Sequence, residues 1–517
     1  MREKLTKLWN SSSIITAIGS LLLLAITIIP MIYIAQYVWP CADDFEMGLG
    51  TKAAFLETGS LWEVLKEAAQ FAKYKYGNWQ GTFSAIFLMA LQPGIWGDEY
   101  YGIGAVIVIA GLLVSIFVLT YVLMVRLAKA PKSVWLILCI LPLWAWVMRV
   151  MYTEEAFYWW NGAFYYIGFH ACAMLITAAA LCLWDGWEKY GKAKKAVCLV
   201  LGGSFCFFLG GGNYVTALML VLVLGGMTVG ALIGRKKSKI VLGVYFLSTL
   251  AALVISVAAP GNVAHMNTNF QNDISVVEAI CIAIKDGLLN IRDWTNVFVA
   301  ALYVFLLPFI WELTRKCPLT FRFPVLATIL SGGLYLAGYA PISYTFGGYA
   351  PGRIVNLYYW NYYWLLLFNI FYWVGWIDRK VRRRCADGEE NKKENVDGKP
   401  SVSAVVRIAG KQNKWQPVYI CMAGVLFLLA IKQTGIEDTN LYMLLKDLKA
   451  GVFQKADSFQ QERKEYYEAH QGEDVVVERL PYRSEITFFV DLVYKDHVFN
   501  TTMAEYYGVK SISVAGE

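Results

Sequence analysis

Two adjacent carboxylates follow the first long apolar segment of the chain, in the stretch Trp39-Pro40-Cys41-Ala42-Asp43-Asp44-Phe45. A carboxylate at the edge of a membrane can act as a general base, and its neighbour can assist it or coordinate a divalent metal such as Mg²⁺ or Mn²⁺. Aspartate is also common in helix caps and turns, so a structural role is the alternative. Asp43 and Asp44 are therefore candidate catalytic residues, with Asp44 as the candidate metal ligand.

A second group of candidates lies in residues 153–166, which combine two glutamates with seven aromatic side chains. Aromatic faces can stack on a sugar ring, while carboxylates and amides can bind its hydroxyl groups. The candidates for binding a sugar or an acceptor in this stretch are Glu154, Glu155, Trp159, Trp160 and Asn161. The same aromatic run would also fit the belt that membrane proteins carry at the lipid–water interface.

Three cations are candidates for holding a phosphate or a donor group. Arg353 ends the loop 344–353 and can bind a phosphate through several fixed donors. An arginine that reaches towards lipid headgroups is the alternative. His265 and Arg292 have weaker claims, because a lone histidine is more often structural and Arg292 stands apart from any motif.

The composition indicates which elements must position these side chains. The chain is 57% hydrophobic and 16% charged, whereas soluble proteins carry about 25% charged residues. Apolar runs of about 20 residues recur, which is the length that crosses a bilayer as a helix. We expect an all-α polytopic membrane protein with about eleven spans, at 13–36, 102–125, 133–150, 164–184, 196–210, 214–234, 239–258, 296–314, 323–341, 356–377 and 416–434. The first apolar run is predicted to be a retained helix and not a cleaved signal.

Lysine and arginine alternate between the loops, and this alternation predicts a topology. By the positive-inside rule the N-terminus is cytoplasmic and the C-terminus is outside. Residues 82–96 are apolar but too short to cross comfortably, so we expect a re-entrant segment beside an outward-facing cavity. Apolar residues on one face of 61–76 predict a helix that lies in the membrane interface.

The predicted organisation is a transmembrane domain over residues 1–434 and an extracytoplasmic C-terminal segment over 435–517. The first outer loop spans 37–101, and a cytoplasmic linker spans 378–415. The C-terminal segment should be a small α/β unit that caps the outer mouth, with short strands at 475–477 and 488–490. Of the ten cysteines, Cys41 and Cys281 are the two expected outside, and whether they pair is open.

Several function classes lack their usual signals. There is no P-loop, no His/Cys metal-ligand spacing and no serine nucleophile elbow in the sequence. The predicted spans contain very few charged residues, which weakens the case for a transporter. The net charge of +7 follows the loops, so no nucleic-acid partner is expected.

The chain resembles the GT-C superfamily of membrane glycosyltransferases, and especially a bacterial family of that type. The residues that carry the resemblance are Ala42-Asp43-Asp44-Phe45, the predicted interfacial helix, Asn78-Trp79-Gln80-Gly81, Ala259-Pro260-Gly261-Asn262, Ala350-Pro351-Gly352-Arg353 and Tyr506-Tyr507-Gly508. The resemblance covers most of the chain in layout, although each motif is short. Relatives often carry arginine where this chain has Thr82, so any substrate contact of that arginine is not carried over.

The resemblance implies an inverting glycosyltransferase that takes a sugar from a polyprenyl-phosphate carrier on the outer face of a bacterial plasma membrane. Asp43 would deprotonate the hydroxyl of a cell-envelope glycan or lipid acceptor, with Asp44 in support, and Arg353 would hold the carrier phosphate. Trp79 joins the sugar- or acceptor-binding candidates. The alternatives are a lipid or polysaccharide flippase or transporter, and a non-catalytic subunit of envelope assembly.

Overall fold

The protein is described here from a computed structural model, which covers residues 2–266, 274–348, 350–394 and 416–516. Over these ranges almost all regular structure is helical. The helices are α1 Arg2–Ile34, α2 Asp43–Thr58, α3 Leu61–Asn78, α4 Phe83–Met89, α5 Ile103–Thr120, α6 Lys132–Arg149, α7 Trp160–Ala163, α8 Phe169–Gly186, α9 Lys192–Gly210, α10 Tyr214–Ile233, α11 Lys239–Val257, α12 Pro260–His265, α13 Val276–Trp294, α14 Val297–Lys316, α15 Pro324–Ala337, α16 Ala340–Phe346, α17 Gly352–Glu394, α18 Gln416–Gln433, α19 Asn440–Lys449, α20 Val452–Ala469 and α21 Val498–Tyr507. The strands are β1 Asp474–Val477 and β2 Ser511–Val514.

Nine helical segments within the described ranges are long and apolar enough to cross a membrane, which confirms a multi-pass all-α protein. They are Ser11–Tyr37, Asp98–Leu127, Lys132–Arg149, Trp160–Lys189, Lys192–Gly210, Tyr214–Ile233, Lys239–Val257, Val297–Lys316 and Pro324–Phe346. The other two predicted spans fall in α17 and α18, and α18 contributes only a shorter apolar run, Val418–Gln433. A count of eleven therefore stays a prediction. Residues 395–415 of the predicted linker lie outside the described residues.

Local capping signals fix where several helices begin. The side chains of Asn213 and Asn296 accept backbone N–H groups of Thr216 and Val299 at the first turns of α10 and α14. Ser275 and Glu278 form a reciprocal capping box at the start of α13. Such caps satisfy amide groups that the first turn of a helix leaves unpaired.

The segment between α1 and α5 folds into three helices that pack on one another. α2 and α3 form an antiparallel pair joined by Gly59, whose φ of +62° provides the left-handed end of α2. The buried face of α3 consists of Val64, Ala68, Ala72 and Lys75, so a helix forms where the interfacial helix is expected. The short α4 and a 3₁₀ turn at Pro93–Trp96 occupy the predicted re-entrant segment.

The C-terminal segment is a small α/β unit, as predicted. β1 and β2 pair in parallel, and α21 connects them. The prediction of a strand at 488–490 is wrong, because these residues form no regular structure and the partner of β1 is β2. Residues 478–497 instead run as an irregular segment between β1 and α21, which we call the roof segment.

Candidate active site

The turn before α2 places the two aspartates in different environments. Ala42 has a φ of +51°, a conformation that non-glycine residues seldom adopt, and α2 starts at the next residue. The carboxylate of Asp44 folds back and accepts a hydrogen bond from the backbone N–H of Cys41 at 3.0 Å. Asp43, one residue earlier, is half-buried, whereas Asp44 is fully buried.

Asp44 is a structural anchor of this turn. The hydroxyl of Tyr101 donates to Oδ2 of Asp44 at 2.5 Å, and the backbone N–H of Trp160 donates to the same hydroxyl at 2.9 Å. Burial raises the pKa of Asp44 to about 8, against the opposing effects of the hydrogen bonds from Tyr101 and from the backbone amide of Cys41. Oδ1 of Asp44 is buried without a hydrogen-bond partner among the described residues. Because Asp44 is fully buried and already bonded to Tyr101 and Cys41, its carboxyl is less available to a substrate hydroxyl than that of Asp43.

Asp43 lies among charges supplied by four elements. Burial raises its pKa, Arg353 opposes that rise most strongly, and Glu46 adds to it. Lys75 from α3 and His497 from the roof segment also favour its ionised form. Asp43 therefore has the surroundings of a base that is partly desolvated and held close to cations.

Arg353 is fixed at the start of α17. Gly352 lies so close to the ring of Tyr152 that a Cβ there would meet its Cγ at 2.4 Å. The next residue, Arg353, donates to Oε2 of Glu155 from its backbone N–H at 2.9 Å and from Nη1 at 3.3 Å. Its guanidinium also lies 5.4 Å from the centre of the Trp159 ring. The structure thus brings Arg353 into contact with Glu155 and Trp159, and Arg353 also acts electrostatically on Asp43.

The two neighbouring tryptophans have different roles. Trp160 donates from Nε1 to the carbonyl of Leu88 and stacks on Phe164 at 4.6 Å, so its side chain is committed to packing. Trp159 stacks on Phe489 of the roof segment, with ring centres 3.9 Å apart and planes 8° apart. Nε1 of Trp159 and both polar atoms of the Asn161 side chain are buried without partners in the described part of the chain.

The residues that carry these unpartnered atoms lie next to two irregular helical turns. π-helical turns at Glu154–Tyr158 and Phe164–Gly168 flank α7, which carries Asn161. Single π turns are frequently found at functional sites. A buried polar group without a hydrogen bond costs free energy, so a ligand or water that binds these atoms would be stabilised.

Glu154 lies beside this cluster, where its surroundings favour the neutral form. Burial raises its pKa to about 8, and the carboxylates of Glu155 and Glu485 add to the rise. Glu485 belongs to the roof segment. Glu154 can therefore donate a hydrogen bond at neutral pH, as a protonated acid does.

Trp79 and His265 form a second part of the site. Their rings stack at 5.3 Å, and the ammonium of Lys75 lies 4.9 Å from the centre of the Trp79 ring. Burial lowers the pKa of His265, which favours a neutral imidazole. Lys75 is buried and paired with Glu46.

Two of the resembling motifs interlock to hold this part in place. The side chain of Asn262 accepts from the backbone N–H of Gly81 at 2.9 Å and donates to the carbonyls of Ser256 and Val257. A Cβ at Gly81 would meet the carbonyl oxygen of Ser256 at 1.8 Å, and one at Gly261 would meet backbone atoms of α3 at 2.7–2.8 Å. Only glycine lets these segments approach so closely.

The structure does not bring Arg292 to this neighbourhood. It lies at the exposed end of α13, and its guanidinium pairs with the adjacent Asp293 at 2.7 Å. Cys41 and Cys281 do not pair with each other, because both are free thiols.

The described residues do not provide a metal site. No three His, Cys, Asp or Glu side chains within these ranges are arranged to hold a metal ion. One oxygen of Asp44 already accepts two hydrogen bonds, and within these ranges Asp44 belongs to no group of three or more His, Cys, Asp or Glu side chains that could surround a divalent cation. The donor set does not fit Mg²⁺ or Mn²⁺.

A crevice adjoins the aspartate turn. Its walls come from the turn and from the C-terminal segment, and include Trp39, Cys41, Phe45, Arg463, Tyr467 and Asn500. Asp43, Asp44 and Arg353 do not line it. This crevice is therefore not the cavity expected beside both aspartates.

Five side chains of the site were missed in the sequence. Glu46 could have been found from its position one helical turn after Asp43, since residues at that spacing share a face. Lys75 belongs to a helix with other lysines that suggest a solvated face. Tyr101, Phe489 and His497 are distant in sequence and gave no local signal.

Comparison of the chain with known protein families, with curated proteins and with solved structures finds no match. The resemblance to the GT-C superfamily rests on the short motifs given above.

Proposed function

We propose that the protein is an inverting glycosyltransferase that moves a sugar from a polyprenyl-phosphate carrier to a cell-envelope glycan or lipid. The observation that supports this proposal is the neighbourhood of Asp43 and Arg353 next to the unpartnered side chains of Trp159 and Asn161. A desolvated carboxylate, a cation and free hydrogen-bonding groups are the parts that such a transfer needs.

In the proposed reaction Asp43 accepts the proton of the acceptor hydroxyl. The acceptor oxygen forms a bond to the anomeric carbon from the face opposite the leaving group, so the configuration inverts. The bond between that carbon and the carrier phosphate oxygen breaks, and its electron pair stays on the phosphate. Arg353 stabilises this developing charge. Trp159, Asn161 and the neutral Glu154 bind the sugar.

The proposed setting follows from the charge alternation of the loops. Reaction takes place on the outer face of a bacterial plasma membrane, with the N-terminus in the cytoplasm and the C-terminal segment outside. The roof segment contacts Trp159 through Phe489, so the C-terminal segment forms one wall of the site.

The test is sugar transfer by the purified full chain in nanodiscs, supplied with synthetic polyprenyl-phosphate sugars and a crude envelope acceptor. Asp43→Asn should reduce the rate by about 10²–10⁴-fold, which is the usual contribution of a general base. Asp496→Asn, at an exposed position of the roof segment, is the matched control and should leave the rate unchanged.

Transfer that survives Asp43→Asn at the wild-type rate would remove Asp43 from its role. Absence of transfer with every donor, together with movement of labelled lipid between the two leaflets of proteoliposomes that contain the protein, would favour a flippase or transporter. Absence of both would favour a non-catalytic assembly subunit.

A further inference from the structure

Lys75 is a buried cation on a helix whose other lysines face outward. Its side chain is 8% exposed, whereas that of Lys66 on the same helix is 53% exposed. Lysine is almost never buried in this way unless it is paired. Its ammonium forms an ion pair with Glu46 and lies near the rings of Phe71 and Trp79, at 5.3 and 4.9 Å from their centres.

The position of Lys75 is set by backbone contacts and not by chance packing. Gly261 of α12 presses against the carbonyl oxygens of Lys75 and Tyr76 and the amide of Trp79, which leaves no room for a Cβ. The last turn of α3 is therefore held against α12. This arrangement points the ammonium of Lys75 to Glu46 on α2.

Glu46 links Lys75 to the candidate base. It follows Asp43 by three residues in the first turns of α2, so the two carboxylates share one face of the helix. Lys75 also acts electrostatically on Asp43 and on His265. Two cations from different elements, Arg353 and Lys75, thus act electrostatically on Asp43, and each forms its ion pair with another carboxylate, Glu155 or Glu46.

We propose that Lys75 is a second phosphate-binding residue of this site, and that its ligand is the phosphate of the lipid carrier. This inference rests on the proposed function. A phosphate monoester released by transfer carries about two negative charges near pH 7. Arg353 supplies one positive charge, and its Nη1 is already bonded to Glu155. An ammonium has several donors, and Glu46 takes one of those on Lys75, so others remain for the phosphate oxygens.

The test measures binding of polyprenyl phosphate and of the polyprenol of equal length to the full chain in nanodiscs. The dissociation constant of the polyprenol divided by that of polyprenyl phosphate isolates what the phosphate contributes to binding. Lys75→Gln should reduce this ratio about tenfold, the effect of losing one charge-assisted contact. Lys75→Arg should retain most of it. Glu46→Gln should increase it, because a competing carboxylate is removed while the ammonium stays.

Lys66→Gln is the matched control, since it breaks an exposed ion pair with Glu63 on the same helix. It should leave the ratio unchanged. Inorganic phosphate should compete with polyprenyl phosphate in the wild type and less well in Lys75→Gln. Phosphatidic acid in place of the carrier should show a much smaller dependence on Lys75, and an equal dependence would overturn the carrier assignment in favour of a bilayer headgroup.

An unchanged ratio in Lys75→Gln, with Arg353→Gln still lowering it, would overturn the inference and leave the proposed function in place. Equal weakening of phosphate and polyprenol binding would also overturn it, because Lys75 would then act only in packing. The proposed function fails on a different result, namely transfer that does not need Asp43.

Discussion

Replacing Asp44 with asparagine should separate the roles of the two adjacent aspartates. Burial raises the pKa of the Asp44 carboxyl to about 8, so its neutral form is favoured at pH 7. Asparagine has nearly the same shape and no charge. Its carbonyl oxygen can accept from the backbone N–H of Cys41 and the hydroxyl of Tyr101, as Oδ2 of Asp44 does.

The expected magnitudes follow from these contacts. Asp44→Asn keeps both hydrogen bonds, so below pH 4, where the Asp44 carboxyl is neutral in both the folded and the unfolded chain, the free energy of unfolding should change by about 1 kcal/mol or less. Asp44→Ala leaves two buried donors, on Cys41 and Tyr101, without their acceptor and should cost about 2–4 kcal/mol. Asp44→Asn should transfer sugar within about threefold of the wild-type rate, whereas Asp43→Asn should lose about 10²–10⁴-fold.

The assays are initial transfer rates and thermal unfolding of the same nanodisc preparations. A loss of transfer in Asp44→Asn as large as in Asp43→Asn, at an unchanged unfolding midpoint, would refute the reasoning. Asp44 would then be the base, in spite of its bonds to Cys41 and Tyr101.

Two further predictions concern stability and packing. Because folding raises the pKa of Asp44 from near 4 to about 8, its contribution to stability is complete below pH 4 and is lost as the pH rises through 8. The unfolding midpoint of Asp44→Asn should therefore fall less than that of the wild type between pH 5 and 8, and parallel curves would contradict this. Gly261→Ala should lower both the unfolding midpoint and sugar transfer, because a Cβ there meets backbone atoms of α3 at 2.7–2.8 Å. Gly226→Ala, where a Cβ meets nothing within 4 Å, is the matched control, and equal effects of the two changes would contradict the close approach.

Much of the candidate site was accessible from the sequence because its motifs are local. Asp43, Glu155, Trp159, Asn161 and Arg353 were all singled out by residue type and by position at the end of an apolar run. The sequence did not show which of these side chains contact one another. The bonds from Arg353 to Glu155 join residues 198 positions apart, and no local pattern encodes such a pairing.

The assignment of Trp160 shows the limit of a local reading. Trp159 and Trp160 are equivalent as sequence, yet the indole N–H of Trp160 is bonded to Leu88 while that of Trp159 has no partner in the described ranges. Similarly, residues 488–490 resemble a strand by composition, but Phe489 stacks on Trp159 instead of joining β1. Side-chain partners that come from distant elements overrode the local preference.

The sequence by itself determined that this is a multi-pass helical membrane protein, because the length and period of an apolar run depend only on neighbouring residues. It also determined that carboxylates, aromatic residues and an arginine stand at the ends of those runs. Only the tertiary structure decided which of the two aspartates is fully buried and bonded, since the hydrogen bond to Asp44 comes from Tyr101, which lies 57 positions away and just before α5. It likewise decided that Lys75 is buried and paired with Glu46, because burial and ion pairing arise from the packing of α2, α3 and α12.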